Sequence, residues 1–175
     1  YTRFAAACLA QHECVLIQDD DLELPRTSLA ALHAAWQADP AVIHGVFGRT
    51  PKPDGSYARN VQGDAEVPVV LTRVLLAHRR YAASFFKVAP MFTEIQSGGR
   101  PAGNGEDILF SYIARRDSGR LNRVHRVAVT ELPAPHSIHG RNWQSHINHR
   151  TRLLRACEAW LQEETHEDRR DLLHI

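Results

Sequence analysis

A chain of 175 residues, 43% hydrophobic and 23% charged, has the size and composition of one globular domain that buries a core. Its formal net charge of +1 offers no global field for nucleic acid or a membrane surface, and no apolar run is long enough to cross a bilayer. The chain begins at Tyr1 without a start methionine and reads as a segment of something longer, so targeting signals are expected outside it.

Thr2 to His12 reads as a short helix end. Cys14-Val15-Leu16-Ile17 is a compact apolar run, the mark of a buried strand, and it leads directly into Gln18-Asp19-Asp20-Asp21. Pro25 and Ser28 open a helix, with Ser28 as N-cap and Leu29, Leu32, His33 and Trp36 at helical spacing; Asp39-Pro40 ends it. Ala41 to Phe47 is a second apolar strand, closed by Gly48-Arg49. Thr50 to Glu66, rich in Gly, Pro and Asp, is a polar loop or hairpin. Val67 to Thr72 reads as a third strand and Arg73 to Phe86 as a helix. Lys87 to Gly105 is a loop carrying Gly98-Gly99 and Pro101. Glu106 to Arg116 is a helix ended by Ser118-Gly119, Arg123 to Leu132 a strand, and Asn142 to about Glu164 a longer helix. This alternation predicts an α/β layered fold over residues 1–164, followed by a charged tail at 165–175.

Cys8, Cys14 and Cys157 form no Cys-x2-Cys pair, so neither a zinc knuckle nor a disulfide is inferred. With no N-x-[ST] signal either, the cysteine usage points mildly to a reducing compartment such as the cytoplasm.

Three features bear chemistry. Adjacent carboxylates resist ionising beside one another, a cost that a divalent cation between them removes. Asp19, Asp20 and Asp21, at the end of an apolar strand, therefore read either as a solvated acidic turn or as a site for Mg²⁺ or Mn²⁺ bridging to phosphate. A haloacid-dehalogenase-type phosphatase also places Asp-x-Asp after a strand, but it wants Thr or Val soon after, where this chain has Leu22-Glu23. Asn104-Gly105-Glu106-Asp107-Ile108 sets two carboxylates in the first turn of a helix: Asn104 as N-cap and the macrodipole explain them structurally, and the preceding glycine-rich loop suggests an acceptor wall. Trp143, Ile147, Leu154, Cys157 and Leu161 form the apolar stripe of the last helix, and Arg150 falls on that same face with His146 one turn before it. A buried arginine needs an anion, which is a carboxylate in a structural ion pair or a phosphate. His136, His139, His146 and His149 together hint at zinc, but four-histidine sites without Cys or carboxylate are uncommon.

These segments, taken in order, resemble the C-terminal catalytic domain of the exostosin-like proteins, glycosyltransferase family 64. The likeness runs from about Phe4 to Cys157 and rests on Val15-Leu16-Ile17-Gln18-Asp19-Asp20-Asp21, Trp36-Gln37-Ala38-Asp39-Pro40, Ile43-His44-Gly45-Val46-Phe47-Gly48-Arg49, Val69-Val70-Leu71-Thr72 with Tyr81 behind, Asn104-Gly105-Glu106-Asp107-Ile108 and His146-x3-Arg150. The resemblance implies a GT-A-like α/β fold whose nucleotide-binding N-terminal part is expected before Tyr1. It also implies retaining transfer of a sugar, an N-acetylhexosamine, from a UDP-sugar donor to a glycan or glycoconjugate acceptor with Mn²⁺ (or Mg²⁺), and residence in the Golgi or ER lumen. Asp21 would be the principal metal ligand with Asp19 in support, and Asp19 and Asp20 would face the donor. Asp107 would sit near the anomeric carbon, Glu106 would orient the sugar, His146 and Arg150 would contact the diphosphate, and Arg49 would lie on the donor-sugar side. Two departures stand out. Gly105 and Leu153 occupy positions where the family usually has bonded cysteines, and Arg73 replaces a small residue after Leu71-Thr72. Those changes keep open a degenerate, non-catalytic binding module, and the Asp triplet keeps open a metal-dependent phosphohydrolase.

Overall fold

The computed structural model describes residues 1–92, 96–97, 100–101, 105–133 and 143–171, with side chains for 1–92, 105–133 and 145–163. The expected α/β layered sheet with flanking helices is present. Its main sheet joins β1 (Cys14–Gln18), β8 (Val74–His78), β3 (His44–Gly45), β11 (Asn122–Val124) and β6 (Ala65–Val67), in that spatial order. Only the β3–β11 pairing is parallel. A second sheet holds β5 (Arg59–Val61), β4 (Gly48–Thr50) and β7 (Val69–Val70), all antiparallel. Two small ribbons pair β12 (Thr130–Glu131) with β2 (Leu22–Glu23), and β10 (Arg100–Pro101) with β9 (Gln96–Ser97).

The helices are α1 (Thr2–Cys8), α2 (Arg26–Ala38), α3 (Arg80–Val88), α4 (Glu106–Ser118) and α5 (Trp143–Asp171). Beneath one face of the main sheet, Leu32 and Trp36 of α2 join Leu22, Val46, Val74 and Leu76. Against the other face, α1, α3, α4 and α5 build the larger core, in which Phe4, Phe85 and Phe110 meet with ring centroids 4.5 and 4.6 Å apart. Helix α4 is its axis: every residue from Asp107 to Ala114 is buried. The helix breaks at Gly119, whose φ of +66° suits glycine.

Several expected elements come out differently. The helix expected over Arg73–Phe86 is strand β8 followed by α3. Val74 and Leu76 face one core while Leu75 and Ala77 face the other, so this central strand is an unbroken apolar run without the polar alternation of a half-exposed one. The strand β1, expected to be buried, is covered on one face only: Val15 and Ile17 are buried, while Leu16 is 42% exposed. Ala41–Phe47 keeps only the two-residue β3, and Val67–Thr72 splits at Pro68, where the chain leaves the main sheet for the second. Asn122 holds that crossing together: its carbonyl oxygen accepts from Ile43 N–H (3.0 Å), and its amide donates to Pro68 O (3.2 Å) and Ser111 O (3.1 Å). Arg123–Leu132 is likewise two short strands. Ser28 is not an N-cap but a buried residue inside α2, which starts after Pro25. The expected helix end at the N-terminus stops at Cys8, and α5 continues to Asp171. Asn104, Gly98-Gly99, His136, His139 and Asn142 lie outside the described residues. Among the described residues no helix is long and apolar enough to cross a membrane.

Candidate active site

The aspartate triplet forms the turn between β1 and β2, closed by Gln18, whose side-chain amide donates to Leu22 O at 2.7 Å. Asp19 N–H donates to Arg73 O (2.8 Å), and Leu132 N–H donates to Asp21 O (2.8 Å). The backbone of the turn is therefore fixed from two sides, by the loop before β8 and by the segment after β12. The three side chains meet different surroundings. Arg3 on α1 donates to the Asp19 carboxylate at 2.7 Å and to Thr72 O at 3.1 Å. Asp20 is exposed. Oδ1 of Asp21 is buried and has no hydrogen-bond partner among the described residues, which is costly for a carboxylate oxygen unless something else satisfies it.

The second acidic site lies at the start of α4. Its N-cap position is held by Gly105 rather than by Asn104, in a left-handed conformation (φ +98°). A Cβ there would meet Leu153 Cδ2 at 2.5 Å, so the start of α4 packs directly against Leu153 of α5. Asp107 is 5% exposed, and its partner is the arginine on the apolar face of α5: Arg150 Nη2 donates to Asp107 Oδ1 at 2.6 Å and also reaches Oδ2. The structure thus answers the question of Arg150's anion with a carboxylate of the same chain. The Tyr57 hydroxyl also accepts from Nη2, at 2.8 Å, and the guanidinium carbon stands 4.5 Å from the Tyr57 ring centroid.

Burial on its own would lower the Arg150 pKa, but Asp107 and then Tyr57 outweigh it and raise it further, so the guanidinium stays charged. Burial pushes the Tyr57 phenol up to about 12, with Asp107 adding to the shift and Arg150 and Arg49 opposing it. Burial, then Asp107, raise the Glu106 carboxyl above its ordinary value, while Arg150 and Arg3 act against them.

Arg3 pairs with Asp19, and its charge is the smallest of the influences on the Glu106 carboxyl. Arg49, half-buried on β4, lies within electrostatic range of Tyr57 and donates to Gly48 O at 2.9 Å. His146 is half-buried on α5, one turn before Arg150. The guanidinium of Arg73 stacks 4.4 Å from the Phe47 ring centroid and pairs with Glu131 at 2.9 Å, joining the loop before β8 to β12. A cleft of about 500 Å³ opens beside Tyr57, lined also by Lys52, Ser56, Ile147, Thr151 and Arg155. Among the described residues no group of three or more His, Cys, Asp or Glu side chains is placed to hold a metal ion.

Sequence reasoning missed Arg3 and Tyr57. Arg3 lies on a seven-residue helix with too little length for a clear period. Tyr57 follows a turn at Asp54-Gly55, and nothing local ties it to an arginine 93 positions on.

No curated protein matches the chain. The family model described as "Glycosyl transferase family 64 domain" matches residues 1–168 of the 175. With nearly its whole length covered by that match, and with the acidic turn, the acidic helix start and the buried arginine in one fold, this chain belongs to glycosyltransferase family 64.

Proposed function

We propose that this domain is an exostosin-like, metal-dependent retaining glycosyltransferase that moves a sugar, an N-acetylhexosamine, from a UDP-sugar to a glycan or glycoconjugate acceptor. The observation that carries the reading is the buried Asp107–Arg150 pair, with Glu106 next to it at the start of α4. Such a pair costs desolvation, and a structural role alone is a weak reason to keep it. At a transferase site it holds an ionised carboxylate and a permanent cation side by side in a dry setting, where both act strongly on developing charge.

In this reading the aspartate turn would hold a hard divalent cation. Asp21 has a buried oxygen with no hydrogen-bond partner among the described residues, Asp19 stands two positions before it, and Mn²⁺ or Mg²⁺ in such sites needs only one or two carboxylates, with substrate phosphates and water completing the shell. When bound, the ion neutralises charge on the departing diphosphate. The rest falls to the chain. Asp107 faces the anomeric carbon and stabilises its positive charge, and Glu106, with its raised pKa, hydrogen-bonds the sugar. Arg150 and His146 meet the diphosphate, Asp20 contacts the donor, and Arg49 flanks the donor sugar. For the Arg150 fork to reach a phosphate as well as Asp107 suits its planar, multi-donor geometry.

Thermal unfolding of the full-length protein with Mn²⁺ plus UDP tests this reading, together with an assay for UDP release and sugar transfer. Binding is expected to raise the melting temperature, by an amount equivalent to about 2.7 kcal/mol at a hundredfold excess over Kd, and Asp21→Asn is expected to remove the shift. No shift in the wild type would count against a donor site. A shift without turnover would instead mark a binding module.

A further inference from the structure

We propose that Tyr57 is the positioning residue of Arg150: its phenol and ring fix the guanidinium plane so that the arginine serves Asp107 and the donor in one orientation. The proposal rests on the transferase reading above for its effect on rate, but not for its geometry.

The loop bearing Tyr57 is built to present it. Asp54 accepts from the Ser56 N–H (2.9 Å) and hydroxyl (2.7 Å), Gly55 N–H donates to Lys52 O (2.8 Å), and Lys52 N–H donates to Ser56 O (2.9 Å). Gly55 takes a φ of +73°, which suits glycine at this turn. Tyr57 is then tied by its own backbone to the turn of α5 that carries the arginine: its N–H donates to Thr151 Oγ1 at 3.0 Å, and that hydroxyl donates to Ile147 O at 2.8 Å. The side chain completes the grip. Nη2 of Arg150 has two hydrogens; one is directed to the Asp107 carboxylate and the other to the Tyr57 oxygen at 2.8 Å. The ring covers the guanidinium face at 4.5 Å. A planar group held on one edge by a carboxylate and on one face by an aromatic ring has little rotational freedom left, which is the condition for an electrostatic contact to act without reorganisation. The phenol, held neutral to about pH 12, accepts without placing a second negative charge beside Asp107.

Tyr57→Phe keeps the ring and deletes the hydrogen bond, and it is conservative enough to preserve the fold. In the full-length enzyme it is expected to lower kcat about tenfold while donor KM changes less than about twofold. In an Arg150→Lys background, where no guanidinium plane remains to orient, it is expected to cost less than about twofold. An unchanged kcat in Tyr57→Phe would overturn the proposal, as would an equal tenfold loss in both backgrounds. A second readout needs no activity. In ¹⁵N spectra of arginine side chains, the Arg150 Nη signals should be separate in the wild type, because rotation is restricted, and averaged in Tyr57→Phe. Identical signals in both proteins would also overturn it. Averaging in the variant combined with an inactive wild type would instead leave the positioning role standing and reject the transferase reading.

Discussion

At the residue scale, the Asp107–Arg150 pair joins the start of α4 to α5 through two buried charges. Both side chains are nearly inaccessible, at 7% and 8% side-chain exposure, so each depends on the other for its charge to be tolerated. Asp107→Asn removes the negative charge but keeps the volume, so the buried guanidinium loses its charged partner at Asp107. The expected result is a loss of about 3–5 kcal/mol in denaturant unfolding together with loss of transfer. Unchanged stability would mean that water reaches Arg150. The arginine was legible in advance, because a cation at an apolar stripe position must be paired. Its partner was not, since Asp107 lies 43 positions away and Tyr57 lies 93.

At the scale of elements, the close approach of α4 and α5 is set where Gly105 meets Leu153. Gly105→Ala adds a Cβ that points into Leu153 Cδ2 at 2.5 Å from a backbone with φ +98°. The expected cost is about 1–3 kcal/mol from strain and overpacking. Leu153, fully buried, is expected to cost about 2–5 kcal/mol as Leu153→Ala. In the double variant the small residue at 153 makes room for the new Cβ, so the combined loss measured by urea unfolding should be less than the sum of the two. Strict additivity would mean that the helices shift apart to accept alanine. Helices α2 and α5 were readable from apolar spacing, and α4 from its acidic start and its Ser118-Gly119 stop. Strand β8 was not, because with both faces covered it has no period to detect.

At the scale of the whole molecule, stability depends on a polar link inside the main sheet. His44 on β3 is 1% exposed; its Nε2–H donates to Asp39 O at 2.8 Å, so its Nδ1 accepts from His125 Nε2–H at 2.9 Å. Burial lowers the His44 pKa; the Asp39 carbonyl opposes that shift and His125 reinforces it. Burial likewise lowers His125, with Asp64 opposing and Arg123 reinforcing. Both folded values lie below the ordinary 6.5, so the unfolded chain takes up protons first as pH falls. Stability from this pair is therefore complete above about pH 6.5 and declines below it. The melting temperature should be flat from pH 7 to 8 and drop towards pH 5.5, and His125→Gln should reduce the slope of that drop; an unaltered slope would remove the pair as its cause. By itself the sequence determined the α/β class, the acidic turn after an apolar strand, the acidic start of α4 and the arginine on the buried face of α5. Those are properties of contiguous residues, where periodicity and neighbouring charge leave a local trace. Only the tertiary structure decided that β8 lies at the heart of the sheet, that Arg3 closes on Asp19, and that Tyr57 and Asp107 together hold Arg150. Each of those pairings joins distant parts of the chain, and it exists only once the core has brought them within a few ångströms.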